Sequence, residues 1–468
     1  MKKKLFALLT AVIIIAACIL PASAFFDNGQ TNRYGWNWAH IVHSYLVPLD
    51  DGSYLCCNAE GSEFVAVSCD ADGKNNGEVF SLNCAPDTFA GFFAGEEYYF
   101  IATASDNEDE SDEKTVLTVI KYDKAFNRLG EIEFKGENTY VAVMAGSLRM
   151  TETDGKLYVH TCHEMYTSED GFNHQANMTF VIDESTMTKL DGFSGVMGIS
   201  WGYVSHSFNQ FIGTDGEYVY RVDHGDAYPR GISVTKAAVG GKITDVEYTV
   251  PYSIPGNIGD NYTGVEVGGF AVGEHNLLIA WMQENDDDTV SEYLLTVSKD
   301  LSDSKLIEVC SVAAGVRAFN PMLVPLENGN YLYMFELYPS NQSVTDINCT
   351  IIDEDGNTAG EQRAIYGTSL SDCQPVYCDD GLVRWTVIEN GELVLHSYDP
   401  LSEPPAFVPG DVNGNGRIDS ADYAMCKRAF LRTYVLNDDQ FRRADINGNS
   451  RLDAAEYAMI KRHFLKTY

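Results

Sequence analysis

His43-Ser-Tyr-Leu-Val-Pro-Leu-Asp-Asp-Gly-Ser-Tyr-Leu55 comes back late in the chain as Asn320-Pro-Met-Leu-Val-Pro-Leu-Glu-Asn-Gly-Asn-Tyr-Leu332. Each copy is an apolar run, a turn signal ending in glycine, and a second apolar run. Asp-Gly and Asn-Gly accept the positive φ angles of a tight hairpin, so each copy predicts two antiparallel strands. Turn signals of this kind stand at Asp51-Gly52, Gly95-Glu96, Asp154-Gly155, Asp215-Gly216, Gly273-Glu274, Asn328-Gly329 and Asp380-Gly381, with glycine-to-glycine gaps of 43 to 61 residues. A further apolar strand ending in aspartate follows most of these heads, as in Thr118-Val-Ile-Lys-Tyr-Asp123, Thr179-Phe-Val-Ile-Asp183, Cys349-Thr-Ile-Ile-Asp353 and Leu395-His-Ser-Tyr-Asp399. No segment between Phe25 and Pro400 sustains the 3.6-residue apolar stripe of a helix.

Seven strand-rich units at this spacing predict a mainly β fold, a seven-bladed β-propeller. The gaps run slightly long, and six or eight blades also fit. A pair of β-sandwiches is the competing reading. The repeats resemble kelch-like or quinoprotein-like propellers only generically, since neither a Trp-Asp nor a double-glycine signature is present. Such a likeness concerns fold and does not carry function.

Composition frames what surrounds this module. Of 468 residues, 45% are hydrophobic and 12% aromatic, enough for a full core and too apolar for a disordered chain. Against 68 Asp and Glu there are 32 Lys and Arg, a net charge of −36. A field of that sign disfavours nucleic acid and anionic membrane as partners. Eleven cysteines are too dilute for a disulfide framework. Cys373 and Cys378 are near enough in sequence to bridge, with free buried thiols the alternative.

The chain opens with Lys2, Lys3 and Lys4, an apolar run from Leu5 to Leu20, and Pro21-Ala22-Ser23-Ala24. This is the pattern of a secretory signal peptide, residues 1–24, and the run is too short to span a bilayer. Ile15-Ala16-Ala17-Cys18 resembles a lipobox, but apolar Ile19 and Leu20 after the cysteine favour cleavage after Ala24. The protein is expected to be secreted, extracellular and associated with a cell-surface complex. The large module then occupies residues 25–400, and a proline-rich connector, residues 401–409, forbids helix and ladder pairing. From Phe407 onward, 10 Lys and Arg face 8 Asp and Glu; with +3 in the signal peptide, the stretch between carries −41. Such asymmetry suggests two modules with different partners.

The final module, residues 410–468, is an internal duplication. Residues 411–434 align with 445–468 at an offset of 34, with 16 of 24 positions identical. Oxygen side chains at loop positions 1, 3, 5, 9 and 12, with a backbone carbonyl at position 7, suit a hard cation such as Ca²⁺. They are Asp411, Asn413, Asn415, Asp419 and Asp422 with the carbonyl of Arg417, and Asp445, Asn447, Asn449, Asp453 and Glu456 with the carbonyl of Arg451. Gly416 stands at the sharp turn of the first loop, and Ser450 replaces it in the second. Two calcium ions are expected.

Loop precedes helix in each half, and Pro404, Pro405 and Pro409 preclude an entering helix before Asp411. This tandem resembles the type I dockerin domain of cellulosomes and related enzyme complexes. The resemblance implies a small α module that docks, calcium-dependently, onto a cohesin domain of a scaffoldin, in a setting of polysaccharide catabolism. The positions that the family uses for recognition are here Ser420, Ala421, Lys427 and Arg428, and Ala454, Ala455, Lys461 and Arg462. The near-identity of the halves predicts two docking modes. Ala421 and Ala455 depart from the hydroxyl pairs common in clostridial members, which leaves the cohesin class open.

In the large module the densest polar cluster is Ser205-His-Ser-Phe-Asn-Gln210 with Arg221-Val-Asp-His-Gly-Asp-Ala-Tyr-Pro-Arg230. One hairpin can bring His206 and Asn209 near Asp223, His224 and Asp226. Corresponding head positions elsewhere hold His40, His43, Arg317 and Asn320. Two functions follow. His206, His224, Tyr228 and Arg230 could serve base and neutraliser roles in a polysaccharide lyase, or paired carboxylates could hydrolyse a glycosidic bond. Alternatively Trp36, Trp38, Trp201, Asn209, Asp223 and Asp226 bind a glycan without chemistry. The structural alternative is that Asp223, His224 and Asp226 cap a blade turn, in a propeller that only mediates protein interaction. His160 and His163 flank Cys162, but an odd offset on one strand sends them to opposite faces. The acidic runs Asp106 to Lys114 and Glu284 to Asp288 read as solvated hairpin tips.

Overall fold

The computed structural model describes residues 41–464 except 144–145, 196–204, 286, 288, 313–315, 340–345, 361, 367, 390–391, 403–407 and 447–450. The signal peptide, Trp36, Trp38, His40, Trp201, Asn447, Asn449, Ser450, Pro404 and Pro405 lie outside the described residues, as does the side chain of His206.

All seven head turns lie between the first two main strands of a separate antiparallel sheet, and the sheets follow one another along the chain. They run from Ser44–Pro48 to Asn75–Asn83, Thr88–Ala94 to Arg128–Lys135, Thr139–Ala142 to Thr188–Phe193, Ser205–Thr214 to Val246–Ser253, Val265–Val272 to Ser304–Val312, Val316–Pro325 to Arg363–Tyr366, and Val376–Tyr377 to Glu392–Tyr398. Strands pair in chain order. The third sheet adds Thr139–Ala142 against Lys156–Thr167, and the seventh has three described strands. At two heads both turn residues take positive φ, Asp154 and Gly155 at 52° and 66°, Asn328 and Gly329 at 61° and 73°; at Gly52, Gly216 and Gly381 the glycine alone does, and Gly95 and Gly273 do not. The aspartates that end third strands tie the next turn. Asp123 Oδ1 accepts from the N–H groups of Ala125 and Asn127 at 2.9 and 2.8 Å, and Asp353 Oδ1 from those of Asp355 and Asn357 at 3.0 and 2.8 Å.

Burial falls from the axis outward. Tyr99–Ala104 is buried at every position, whereas the fourth strand of the same blade, Arg128–Lys135, is mostly exposed. Inner strands read as continuous apolar runs because a neighbouring blade covers each face. Every adjacent pair of blades shares an apolar seam. Phe64 meets Phe89 between blades 1 and 2, Phe100 meets Phe180 between 2 and 3, and Tyr158 meets Ile212 between 3 and 4. Val222 and Trp281 share the 4–5 seam, Leu294 and Phe335 the 5–6 seam, and Met334 and Trp385 the 6–7 seam. The ring closes where Cys56, Val65 and Val67 of blade 1 pack with Cys373, Cys378 and Leu395 of blade 7. Seven seams for seven sheets define a closed seven-bladed propeller.

Polar bridges reinforce the inner ring. First strands of blades 2, 4, 5 and 6 each carry a register irregularity, at Phe89/Gly91, Ser207/Asn209, Val267/Gly269 and Phe319/Met322. At that level Ser147 Oγ donates to Asn209 Oδ1 at 2.6 Å, Asn209 Nδ2 donates to the Val267 carbonyl, and Gln374 Nε2 reaches the Leu323 carbonyl at 2.9 Å. The ten cysteines among the described residues are free thiols, so Cys373 and Cys378 do not bridge.

After the propeller come three helices, α1 (Ser420–Phe430), α2 (Asp438–Ala444) and α3 (Ala454–Phe464). α2 was not legible as an apolar stripe; Asn437 and Gln440 start it by capping each other's backbone N–H groups at 2.8 and 3.0 Å. The core is built from repeat-related pairs: Val412 with Ile446, Ile418 with Leu452, and Cys426 with Ile460. Tyr423 and Tyr457, also 34 apart, stack at 5.3 Å with hydroxyls 3.2 Å apart. Contact between equivalent residues is what a local twofold relation between the halves requires.

Candidate functional sites

The hairpin from Ser205–Thr214 to Tyr218–Ala227 does bring the nominated segments together, with Asn209 opposite His224 and Ser207 opposite Gly225. Side chains along one strand alternate in direction, however, and the cluster divides between two seams. Toward blade 3, Asp223 Oδ1 lies 3.2 Å from His160 Nε2, and His160 Nδ1 lies 2.8 Å from Thr179 Oγ1. Arg221 on the same side donates to Thr235 Oγ1, Thr179 Oγ1 and the Ile243 carbonyl. Toward blade 5, His224 Nε2 lies 2.9 Å from Thr263 Oγ1. Burial, then the nearby Arg230 charge, pushes His224 down to about 3, so it stays neutral.

Arg230 donates from all three guanidinium nitrogens to backbone carbonyls: Pro255 at 2.9 Å, Asp260 at 2.6 Å and Tyr262 at 2.8 Å. Asp223, His224 and Asp226 are each at most 2% exposed, while Tyr228 projects at 49% from the hairpin tip with φ of 40°. Asn209 bridges three blades, as described above. Elsewhere, His43 faces Asp372, whose Oδ2 accepts the His43 N–H at 2.6 Å, and Asn320 Nδ2 donates to Glu336 at 2.5 Å. His160 and His163 point apart as alternation requires, His163 bonding Thr139 Oγ1 at 2.7 Å.

The duplicated loops are constructed differently. Asp411 and Asp422 are fully buried, yet their oxygens turn to the loop interior. Asp411 accepts the N–H groups of Asn415 and Gly416 at 3.1 and 2.8 Å, and Asp422 those of Asn413 and Asp419 at 3.0 and 2.8 Å. Gly416 has φ of 82°, the sharp turn anticipated at loop position 6. Burial, with the charges of Asp411 and Asp419 adding, raises the Asp422 carboxyl above its ordinary range.

In the second half Glu456 is fully buried and accepts the Asp453 N–H at 3.0 Å, and Asp453 accepts that of Ala455 at 2.7 Å. Asp419 and Asp422 form the matching box at the start of α1. Arg443, which the spacing did not mark, approaches Asp411 at 3.7 Å. Among the described residues no three His, Cys, Asp or Glu side chains form an assembled metal cluster. The loop carboxylates rest on backbone N–H groups, and the donor set is all oxygen, which fits a hard cation.

Of the docking positions, Ser420, Ala421, Lys427, Ala454, Ala455, Lys461 and Arg462 are exposed. Arg428 is half-buried over the Tyr434 ring. Near them Phe430, Leu431 and Met459 are exposed by 39, 56 and 41%. Cationic heads therefore lie beside uncovered apolar groups on and just after these helices.

A closed β-propeller followed by a paired loop–helix module defines the class. Residues 409–465 match the dockerin type I domain family, and that part of the chain is a type I dockerin domain. Endo-1,4-beta-xylanase Y of Acetivibrio thermocellus is 38% identical over 84 residues, 17% of this chain and 7% of that enzyme. An uncharacterized protein of Listeria monocytogenes superposes at a TM-score of 0.39 with 12% identity, over 77% of this chain and 97% of that one. A variant of Synechocystis apocarotenoid oxygenase does so at 0.33 with 12% identity, over 74% and 64%. At these scores neither likeness bears on what this chain does. Among the described residues no helix is long and apolar enough to cross a membrane.

Proposed function

We propose that this protein is a secreted, extracellular component of a cellulosome-type complex, docked through residues 410–468 to a cohesin of a scaffoldin and presenting the propeller of residues 25–400 on a short connector. The observation that carries this is the dockerin domain itself, with its duplicated carboxylate loops and exposed helix faces. Two calcium ions would be held by Asp411, Asn413, Asn415, Asp419, Asp422 and the Arg417 carbonyl, and by Asp445, Asn447, Asn449, Asp453, Glu456 and the Arg451 carbonyl. When bound, the cation neutralises the buried carboxylates and locks the loops that set the helix faces. Asp411→Ala with Asp445→Ala in the full chain should abolish calcium-dependent cohesin capture and the calcium-induced rise in helicity. Capture that survives the double change overturns the ligand assignment.

For the propeller we infer polysaccharide binding rather than catalysis, with a purely structural or protein-interaction role as the second reading. Several polar groups that would run a reaction are engaged elsewhere, Arg221 and Arg230 with backbone and hydroxyl acceptors, Asp223 with His160, and Asn209 with its neighbouring blades, which leaves Tyr228 exposed at the hairpin tip. His224, held near 3, has little strength as a base at neutral pH. Incubation with a polysaccharide panel, following reducing ends and unsaturated-uronate absorbance, tests this. Release of either product would make the module a glycoside hydrolase or lyase.

A further inference from the structure

In each blade the hairpin between second and third strands and the connection to the next blade lie at one end, opposite the head turns. Phe172, Tyr228, Ile258 and Tyr262 stand in loops at that end, 67, 49, 56 and 45% exposed. The other exposed large apolar residues of the propeller, Val79, Leu129, Leu190, Tyr248 and Leu306 among the described residues, lie on outer strands. Among the described residues of the propeller, uncovered aromatic surface in loops therefore lies on one face.

The loops that carry Tyr228 and Tyr262 are tied to one another through Arg230 and through backbone. Arg230, itself 8% exposed, follows Tyr228 by two residues and ties down the loop that carries Ile258 and Tyr262 through its three bonds to carbonyls. The Gly259 N–H closes the same loop onto the Asp226 carbonyl at 3.0 Å, and the Tyr262 hydroxyl donates to Glu284 on the next blade. A platform fixed in advance loses little conformational freedom when a ligand arrives.

The charge of the same face restricts the ligand. Asp106, Glu108, Asp109 and Glu113, with Lys114 the one cation among the residues that line it, surround a cavity of about 670 Å³ at this end. Glu284 and Asp287 lie on the corresponding hairpin of blade 5. Arg221 and Arg230 donate inward, and the charge of Arg317, exposed at this end on blade 6, acts on the Tyr262 hydroxyl as a cation beside Glu284. Carboxylates accept hydrogen bonds from sugar hydroxyls and tyrosine faces take the apolar faces of pyranose rings, whereas an acidic rim repels uronates.

We propose that this face binds a neutral glycan, stacked on Tyr228 and Tyr262 and hydrogen-bonded by the Glu284 side, and that it rejects acidic polysaccharide. The proposal rests on the carbohydrate reading of the propeller. Affinity gel electrophoresis of the calcium-loaded full chain, with xyloglucan, arabinoxylan, glucomannan or polygalacturonate in the gel, tests it.

Retardation is expected in at least one neutral glycan and not in polygalacturonate. Tyr228→Ala with Tyr262→Ala should weaken it at least tenfold, with melting temperature and cohesin capture unchanged. Tyr228→Ala alone, at an exposed tip, should weaken it severalfold without touching the fold. Undiminished retardation of the variants, or retardation by polygalacturonate, overturns this site while leaving carbohydrate binding standing. No retardation in any gel overturns the carbohydrate reading itself. Retention of polylysine alone would assign the face to a basic protein partner instead.

Discussion

Glu266 is 5% exposed between blades 5 and 6, with Glu292 and Glu336 buried nearby. It accepts the Asn320 N–H at 3.3 Å, while Tyr333 donates its hydroxyl to Glu292 at 2.8 Å. Burial raises Glu266 to about 8; the Asn320 bond opposes this and the Glu336 charge adds to it. Above its ordinary value of 4.5 the unfolded chain releases this proton and the folded chain keeps it. The associated stability is therefore fully present below about pH 4.5 and is lost as pH rises toward 8, at about 1.4 kcal/mol per pH unit and about 5 kcal/mol in all. Glu266→Gln remains neutral throughout. Urea unfolding of the full chain with calcium, at pH values from 5 to 7.5, should show the variant gaining on the parent by about 3 kcal/mol across that range. Taking the difference between the two proteins cancels groups far from the site. Parallel stability curves would refute the reasoning and mean that Glu266 is ionised in the fold.

The opposite sign applies to His224. The unfolded imidazole takes a proton below about 6.5 and the folded one does so only near 3, so stability falls as pH drops through that window, and His224→Asn should flatten the acid limb of the unfolding midpoint. Trp281 is fully buried and stacks on Tyr293 at 4.9 Å; Trp281→Ala should cost the propeller about 3–5 kcal/mol by calorimetry and leave cohesin capture intact. Gly410 has φ of 95°, and a Cβ there would meet Ile418 and Ile446 at 3.2 and 3.3 Å, so Gly410→Ala should lower the dockerin melting transition by about 1–3 kcal/mol.

Local signals were legible where short-range chemistry dictates geometry. Asp-Gly and Asn-Gly favour positive φ whatever lies around them, so Asp154-Gly155 and Asn328-Gly329 marked their hairpins unaided, while the structure settled on seven blades where six or eight also fitted the spacing. The dockerin domain was legible for a similar reason: a 12-residue loop sets its own path, and the offset of 34 marked the duplication. Arg443 and α2 escaped notice because neither belongs to the repeated 24 residues.

What the sequence by itself determined is the kind of building unit, strand meanders headed by hairpin turns and a duplicated carboxylate loop, each set by interactions within a few residues. Only the tertiary structure decided where the polar side chains of blade 4 face. Whether Asp223 and His224 face one pocket or two seams depends on which neighbouring sheet covers each side of the strand. That is a contact across 63 residues to His160 and 39 to Thr263. Ring closure places a blade on both faces, and buried polar groups there must find partners in those blades, so Asp223 and His224, neighbours in sequence, face different seams.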